Sequence, residues 1–221
     1  MNNQKLINFL KELITESRFL NFNKVLNNRT RYITVVLEDL FQSHNASAVL
    51  RSCECFGVQD VHFIENQYDF CENPDVAVGA ANWLNLYHYK GEDNNTFTTI
   101  QHLKNQGYRI VATTPHTNDV MLEDFDVEKG KFALFFGSEL PGLSDIVLNN
   151  ADDFLKINMF GFTESFNISV SAALCLYELT KKMRKTEINW QLSQAEKDEI
   201  MVNWLKYSIK DSENIIKYYF K

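Results

Sequence analysis

A chain of 221 residues, 45% hydrophobic and 23% charged, suits one domain of average to large size with small additions, and 8 glycines with 3 prolines leave little room for low-complexity linker. A formal net charge of -7 excludes a generally basic nucleic-acid binder but not a local phosphate-binding patch. The four scattered cysteines, the absence of a run near 18 apolar residues and the lack of a signal-peptide core lead us to expect buried free thiols in a reducing cytosol, no metal site and no membrane span.

In chain order, the apolar spacing of residues 4–14 predicts an amphipathic helix, continued by a short second helix through Phe22, Val25 and Leu26. Residues 27–31 read as a turn. The β-branched run at 32–40 predicts a buried strand, and a polar loop follows it. Asn45 is expected to cap a helix over 46–56, with Gly57 closing it and a strand at 61–65 behind. Strand, helix, strand at this spacing predicts an α/β unit with a parallel sheet.

Residues 66–82 read as loop or short helix, and 83–90 as a strand. Thr96 is expected to cap a helix ending at Gln106, before Gly107. Further strands are expected at 108–115, stopped by Pro115, and at 131–136 and 154–157. Polar residues His116, Thr117, Asn118 and Asp119 follow the first of these. A short helix is expected over 143–149 and a long one from Ile168 to Arg184. Ser193 and Glu196 predict a capping box for a helix over 193–207, and 209–220 is a candidate for a final helix.

Three loops follow three of these strands: around Thr114, from Gly137 to Gly142, and from Asn158 to Asn167. Ligands of open parallel sheets bind beyond the carboxyl ends of the strands. Neither a dinucleotide fingerprint nor a P-loop occurs, so a nucleotide-like cofactor would be held largely by backbone groups. Glu139 is either a surface acid or a site residue. Arg51 is either a snorkelling or ion-paired arginine, or a phosphate clamp. Ser165 and Asn167 are either helix caps or site residues.

Three motifs carry a resemblance. They are NASAVLR at 45–51 with Phe56-Gly57-Val58 behind it, FFGSELPGLS at 135–144, and INMFGFTESFNISVSAALCLYE at 157–178. Together with the looser VAVGAANWLNL at 76–86, they resemble the SPOUT-class RNA 2'-O-methyltransferases, most closely the TrmH-type tRNA guanosine enzymes. The resemblance covers roughly residues 34–185. It implies an α/β fold, an open mostly parallel sheet with helices on both faces, whose C-terminal part forms a deep trefoil knot. The implied organisation is a helical arm over 1–30, a methyltransferase domain over 31–187 with the knot in about 131–187, and a helical extension over 188–221. It also implies S-adenosylmethionine as cofactor, a cytoplasmic homodimer, and methyl transfer to a ribose 2'-hydroxyl of tRNA, the D-loop guanosine at position 18.

On that resemblance Arg51 is the key catalytic residue, Asn45 shapes its shelf, and Glu139, Ser165 and Asn167 organise the site. Backbone groups around Thr114, Gly137, Ile157, Met159 and Phe166 would contact the cofactor, and buried Leu174 would line its adenine side. Two substitutions, Phe166 and Ile168 where the family has Leu and Val, keep apolar groups. In an acidic chain, RNA binding needs a focused basic surface: Arg29, Arg31, Arg51, Lys181 and Lys182, extended by Arg184, Lys185, Lys210, Lys217 and Lys221. The alternatives are 2'-O-methylation of ribosomal RNA and a non-catalytic RNA-binding or assembly protein.

Overall fold

The computed structural model describes residues 2–92, 94–114, 119–139 and 141–220. The expectations placed on Pro115, His116, Thr117, Asn118 and Lys221 lie outside the described residues, as does Leu140 of the second motif. Two compact units are formed, one from residues 31–190 and one from 1–30 with 191–221.

The elements in chain order are α1 (Asn3–Leu10), α2 (Glu16–Leu26), β1 (Ile33–Glu38), α3 (Ser43–Phe56), β2 (Asp60–Ile64), α4 (Pro74–Ala77) and β3 (Asn85–Tyr89). There follow α5 (Asn95–Asn105), β4 (Arg109–Thr113), β5 (Val120–Met121), β6 (Phe132–Phe136), α6 (Asp145–Asn150) and β7 (Asp153–Lys156). The last three are α7 (Ile168–Met183), α8 (Gln194–Ser208) and α9 (Ser212–Tyr219).

The larger unit is a parallel sheet in the order β3-β2-β1-β6-β4-β7-β5. Its central strands are apolar on both faces because both faces are covered. Ile33, Val35 and Leu37 of β1 and Phe132, Leu134 and Phe136 of β6 pack with α3 and α7 residues such as Val49, Cys53, Leu176 and Leu179. The alternate residues Val36, Ala133 and Phe135 turn to the opposite face, against Ile100 and Leu103 of α5 and Val147 of α6. The period-2 alternation of a strand therefore feeds two cores from one run.

Helix limits differ from expectation where capping differs. α3 begins at Ser43 with Gln42 at its N-cap, so Asn45 lies inside the first turn and is not the cap. Gly57 does end this helix, in the left-handed conformation with φ 82°. Asn94, rather than Thr96, caps α5 by accepting from the Phe97 N–H. The thiols split: Cys53 and Cys175 are buried, whereas Cys55 and Cys71 are exposed, contrary to the expectation that all are buried.

In the smaller unit the Ser193–Glu196 capping box forms as expected. Trp204 of α8 meets Phe22 of α2 edge-on, with ring centroids 5.6 Å apart. The Arg29 guanidinium lies 5.5 Å from the same indole. Phe9 stacks on Tyr219 of α9 at 3.8 Å.

Burial pushes the His62 imidazole of β2 down to about 3, and the nearby His102 adds to the effect. Its Nδ1 lies 3.0 Å from the Tyr89 hydroxyl. Between the ordinary value of 6.5 and about 3, the unfolded chain binds this proton and the folded chain does not. The stability that neutral His62 contributes is complete above 6.5 and is lost as pH falls through that window. Thermal melts across pH 7 to 4 should therefore fall less steeply for His62→Gln than for the parent chain. Parallel slopes would assign the acid sensitivity elsewhere.

Candidate active site

Strands β1, β6, β4 and β7 lie side by side and point the same way, so the loops that leave their carboxyl ends share one edge of the sheet. The loop after β6 turns back on itself: the Gly142 N–H donates to the Ser138 carbonyl at 3.0 Å. A Cβ on Gly137 would sit 2.1 Å from the Gly142 carbonyl oxygen, so only glycine fits at that turn.

Glu139, carried on this loop, is the shared acceptor of an amide network. The Asn45 Nδ2 donates to Glu139 Oε1 at 2.7 Å and to Gln42 Oε1 at 3.1 Å. The Asn167 Nδ2 lies 3.2 Å from Glu139 Oε1 and 3.1 Å from Asn45 Oδ1. Gln42 Nε2 completes the set, 3.4 Å from Glu139 Oε2. Asn45 is only 5% exposed, and both halves of its amide are engaged. Asn167 also caps α7. Its Oδ1 accepts from the Ser169 N–H at 2.9 Å and from the Ser169 hydroxyl at 2.6 Å. For this residue capping and site geometry are one arrangement rather than alternatives.

A second carboxylate, Glu38 at the end of β1, is buried and holds the support in place. It accepts from the Thr96 hydroxyl at 2.7 Å, and from the Ser144 hydroxyl and N–H at 2.7 and 2.9 Å. Asp39, next along, adopts φ 48° and accepts from the N–H groups of Asn66 and Gln67. Sequence reading singled out none of Gln42, Glu38, Asp39 or Ser144. For Glu38 the one available signal was an acid ending an otherwise apolar strand.

In the loops expected to hold the cofactor, Thr114 is buried, its N–H donates to the Leu155 carbonyl at 3.0 Å and its hydroxyl donates to Asp119. Ile157 and Met159 are half-buried and Phe166 is exposed. From 158 to 166 no backbone–backbone hydrogen bond forms among the described residues. Ser165 is exposed and stands outside the amide network. Leu174, expected to be buried, is 39% exposed and shares an apolar stripe of α7 with Val170 and Tyr177. That spacing of three and four residues is one face of a helix.

Arg51 is exposed, while Asn45 on the same helix is buried. Six residues along an α-helix rotate by about 240°, so the two leave the helix in directions about 120° apart. Three residues of the expected basic surface are also committed elsewhere. Arg29 is buried, 1% exposed, against Trp204. The Arg31 Nε pairs with Asp60 at 3.0 Å. The Lys182 ammonium donates to the carbonyls of Leu122, Glu123 and Phe125. These three are structural side chains and do not offer free charge to an RNA. Lys181 is exposed, 3.5 Å from Glu178.

The SpoU rRNA Methylase family profile matches residues 32–177. A protein of Borreliella burgdorferi described as tRNA (guanosine(18)-2'-O)-methyltransferase is 43% identical over 211 residues, which span 96% of this chain and 94% of that one. The solved A. aeolicus TrmH/SpoU tRNA modifying enzyme superposes with a TM-score of 0.78 at 25% identity, covering 88% of this chain and 98% of that one. An AdoMet-bound rRNA methyltransferase from Sinorhizobium meliloti shares the fold, with a TM-score of 0.60 at 17% identity over 71% of this chain and 59% of that one. The chain belongs to the SpoU rRNA Methylase family. Its parallel α/β sheet, with helical segments before and after it, is the fold of that family.

Because Arg29 is buried, Arg29→Glu should lower stability by about 3 kcal/mol or more, as expected for an uncompensated buried charge. Urea denaturation measures it. An unchanged midpoint would return Arg29 to the surface and to the RNA-binding assignment.

Proposed function

We propose that this chain transfers the methyl group of S-adenosylmethionine to the ribose 2'-hydroxyl of a tRNA guanosine, that at position 18. One observation carries the reading: the Asn45–Glu139–Asn167 network, built from three motifs, in a chain 43% identical over nearly its whole length to a tRNA (guanosine(18)-2'-O)-methyltransferase. The knot over about 131–187 belongs to the same reading.

The residues present suit the cofactor. Backbone groups over 158–166, unpaired with one another among the described residues, would offer hydrogen bonds, while Ile157, Met159 and Phe166 would offer apolar surface on the loop after β7. When bound, S-adenosylmethionine supplies an electrophilic methyl on a sulfonium, a good leaving system. The protein has to place the 2'-hydroxyl in line with it and give its proton somewhere to go. Asn45, Glu139 and Asn167 form a rigid polar wall at that position, and Ser165 stands in the loop between cofactor and substrate. Arg51 offers N–H donors and no acceptor, so it is a poor free base. Its guanidinium fork binds and orients the phosphate beside the target ribose, and that phosphate takes the proton.

A homodimer fits this arrangement. Val170, Leu174 and Tyr177 on α7, with Phe160 and Phe162 in the loop before it, leave an exposed apolar surface that a second copy would cover. Arg51, outside its own chain's network, would then serve a site shared between copies. Of the expected basic surface, Arg51, Lys181, Arg184, Lys185, Lys210 and Lys217 are exposed and are the residues offered to RNA. Among the described residues no helix is long and apolar enough to cross a membrane, and no His/Cys/Asp/Glu group is arranged to hold a metal ion. Action in the cytoplasm, where tRNA matures, is part of the same proposal.

Labelled cofactor supplied with separate tRNA and ribosomal RNA pools should give 2'-O-methylation of tRNA guanosine. Label confined to ribosomal RNA, or to neither, would replace the reading. Arg51→Ala should lower single-turnover transfer on the order of a hundredfold or more with cofactor affinity retained. Full activity in that variant would remove Arg51 from the mechanism.

A further inference from the structure

A cavity of ≈ 600 Å³ opens beside the amide network and beyond the carboxyl ends of β1 and β6. Its volume lies in the range of small-molecule pockets. Asn45 and Glu139 form one wall, and Phe41 and Tyr68 stand in another. None of the residues from 157 to 166 lines it, so it is separate from the loop after β7, whereas Ser138, Glu139, Pro141 and Gly142 of the loop after β6 do line it.

Phe41 is 71% exposed and Tyr68 41% exposed. Their rings meet edge-on, with centroids 5.1 Å apart and planes at 70°. An edge-on pair covers at most one ring face, and two rings this exposed at a cavity are poorly explained by packing. The charge of the cavity narrows the ligand further. Among its described lining residues are the acids Glu38, Asp39, Glu139 and Asp145, and no lysine or arginine. A phosphate would be repelled, whereas a group that presents hydrogen-bond donors would be attracted.

Three of these acids are already committed: Glu38 to Thr96 and Ser144, Asp39 to Asn66 and Gln67, and Glu139 to the amides. Asp145 is exposed, with no hydrogen-bond partner among the described residues. A carboxylate is an acceptor only, and it matches two adjacent N–H donors in a plane. Of the four RNA bases, guanine alone presents that pair, N1–H and the N2 amino group, on its Watson–Crick edge.

Building on the proposed function, we infer that this cavity is the pocket for the target guanine. The base, turned out of its stack, lies against Phe41 and Tyr68, and its N1–H and N2 amino group donate to Asp145. Its ribose then falls at the Asn45–Glu139 wall, where the methyl transfer is placed. Guanosine selectivity comes from Asp145, and the energy that holds the flipped base comes from the rings.

The test uses the full chain, S-adenosylmethionine and tRNA transcripts bearing guanosine or inosine at the target, since inosine lacks the N2 amino group. The parent chain should methylate guanosine about tenfold faster than inosine, a loss typical of one hydrogen bond to a charged group. Asp145→Asn should slow guanosine and close most of that gap. Phe41→Ala with Tyr68→Ala should lower kcat/KM for tRNA about tenfold or more, and Tyr68→Phe should keep it. S-adenosylhomocysteine affinity by calorimetry and the melting temperature should stay unchanged in all of these, which separates the effect from misfolding. If the parent chain methylates guanosine while the alanine and asparagine variants keep its rate and its preference, the inference falls and the proposed function stands. A change of the alanine variant to a smaller species in sedimentation would assign the rings to a subunit contact and overturn the inference. A parent chain inactive on every tRNA would overturn both.

Discussion

The parallel pairing of β6 with β1 on one side and β4 on the other is the constraint on which the rest depends. Strands far apart in the chain are held edge to edge: Val35 lies opposite Leu134 across 99 residues of sequence, and Val111 opposite Leu134 across 23. Parallel strands cannot be joined by tight turns, so each connection has to cross a face of the sheet, and those crossings supply the helices that cover it. The same geometry sends β1, β6, β4 and β7 out at one edge. A site assembled from residues 45, 139 and 167 follows from that edge, since no local segment carries all three.

Within the site, one acceptor organises several donors. Glu139 receives amide N–H groups from Asn45, Asn167 and Gln42, and a carboxylate can do this because it has only acceptor sites. The amides in turn are fixed by their backbones: Asn45 in the first turn of α3, Asn167 at the cap of α7. Glu38 plays the matching part below, tying β1 to α5 and to the start of α6. Two acids thus hold four loops, one facing the ligand side and one buried.

Much of this arrangement was legible in the residues. Buried β-branched and aromatic runs marked β1, β4 and β6, and the capping box marked α8. The two-residue β5 was not legible, because Val120-Met121 has no periodicity to read and pairs only through β7. The boundaries of α3 were misread because Asn45 has the chemistry of a cap and sits within the first turn of the helix. A single sequence cannot distinguish an asparagine that bonds its own backbone from one that bonds a glutamate far along the chain.

The residue types of Asn45, Arg51, Glu139, Asn167 and the glycine turn at Gly137 were determined by the sequence itself, and with them the chemical class of the site. Tertiary structure alone decided which charges remained available. Arg29, Arg31 and Lys182 look alike in sequence to ligand-binding bases, yet burial, an acid partner and a set of carbonyls absorb them. It also decided that Phe41 and Tyr68, ordinary loop aromatics, meet at the cavity beside Glu139. Residue identity sets what a side chain can do, whereas its surroundings, drawn from distant parts of the chain, set whether that capacity is already used.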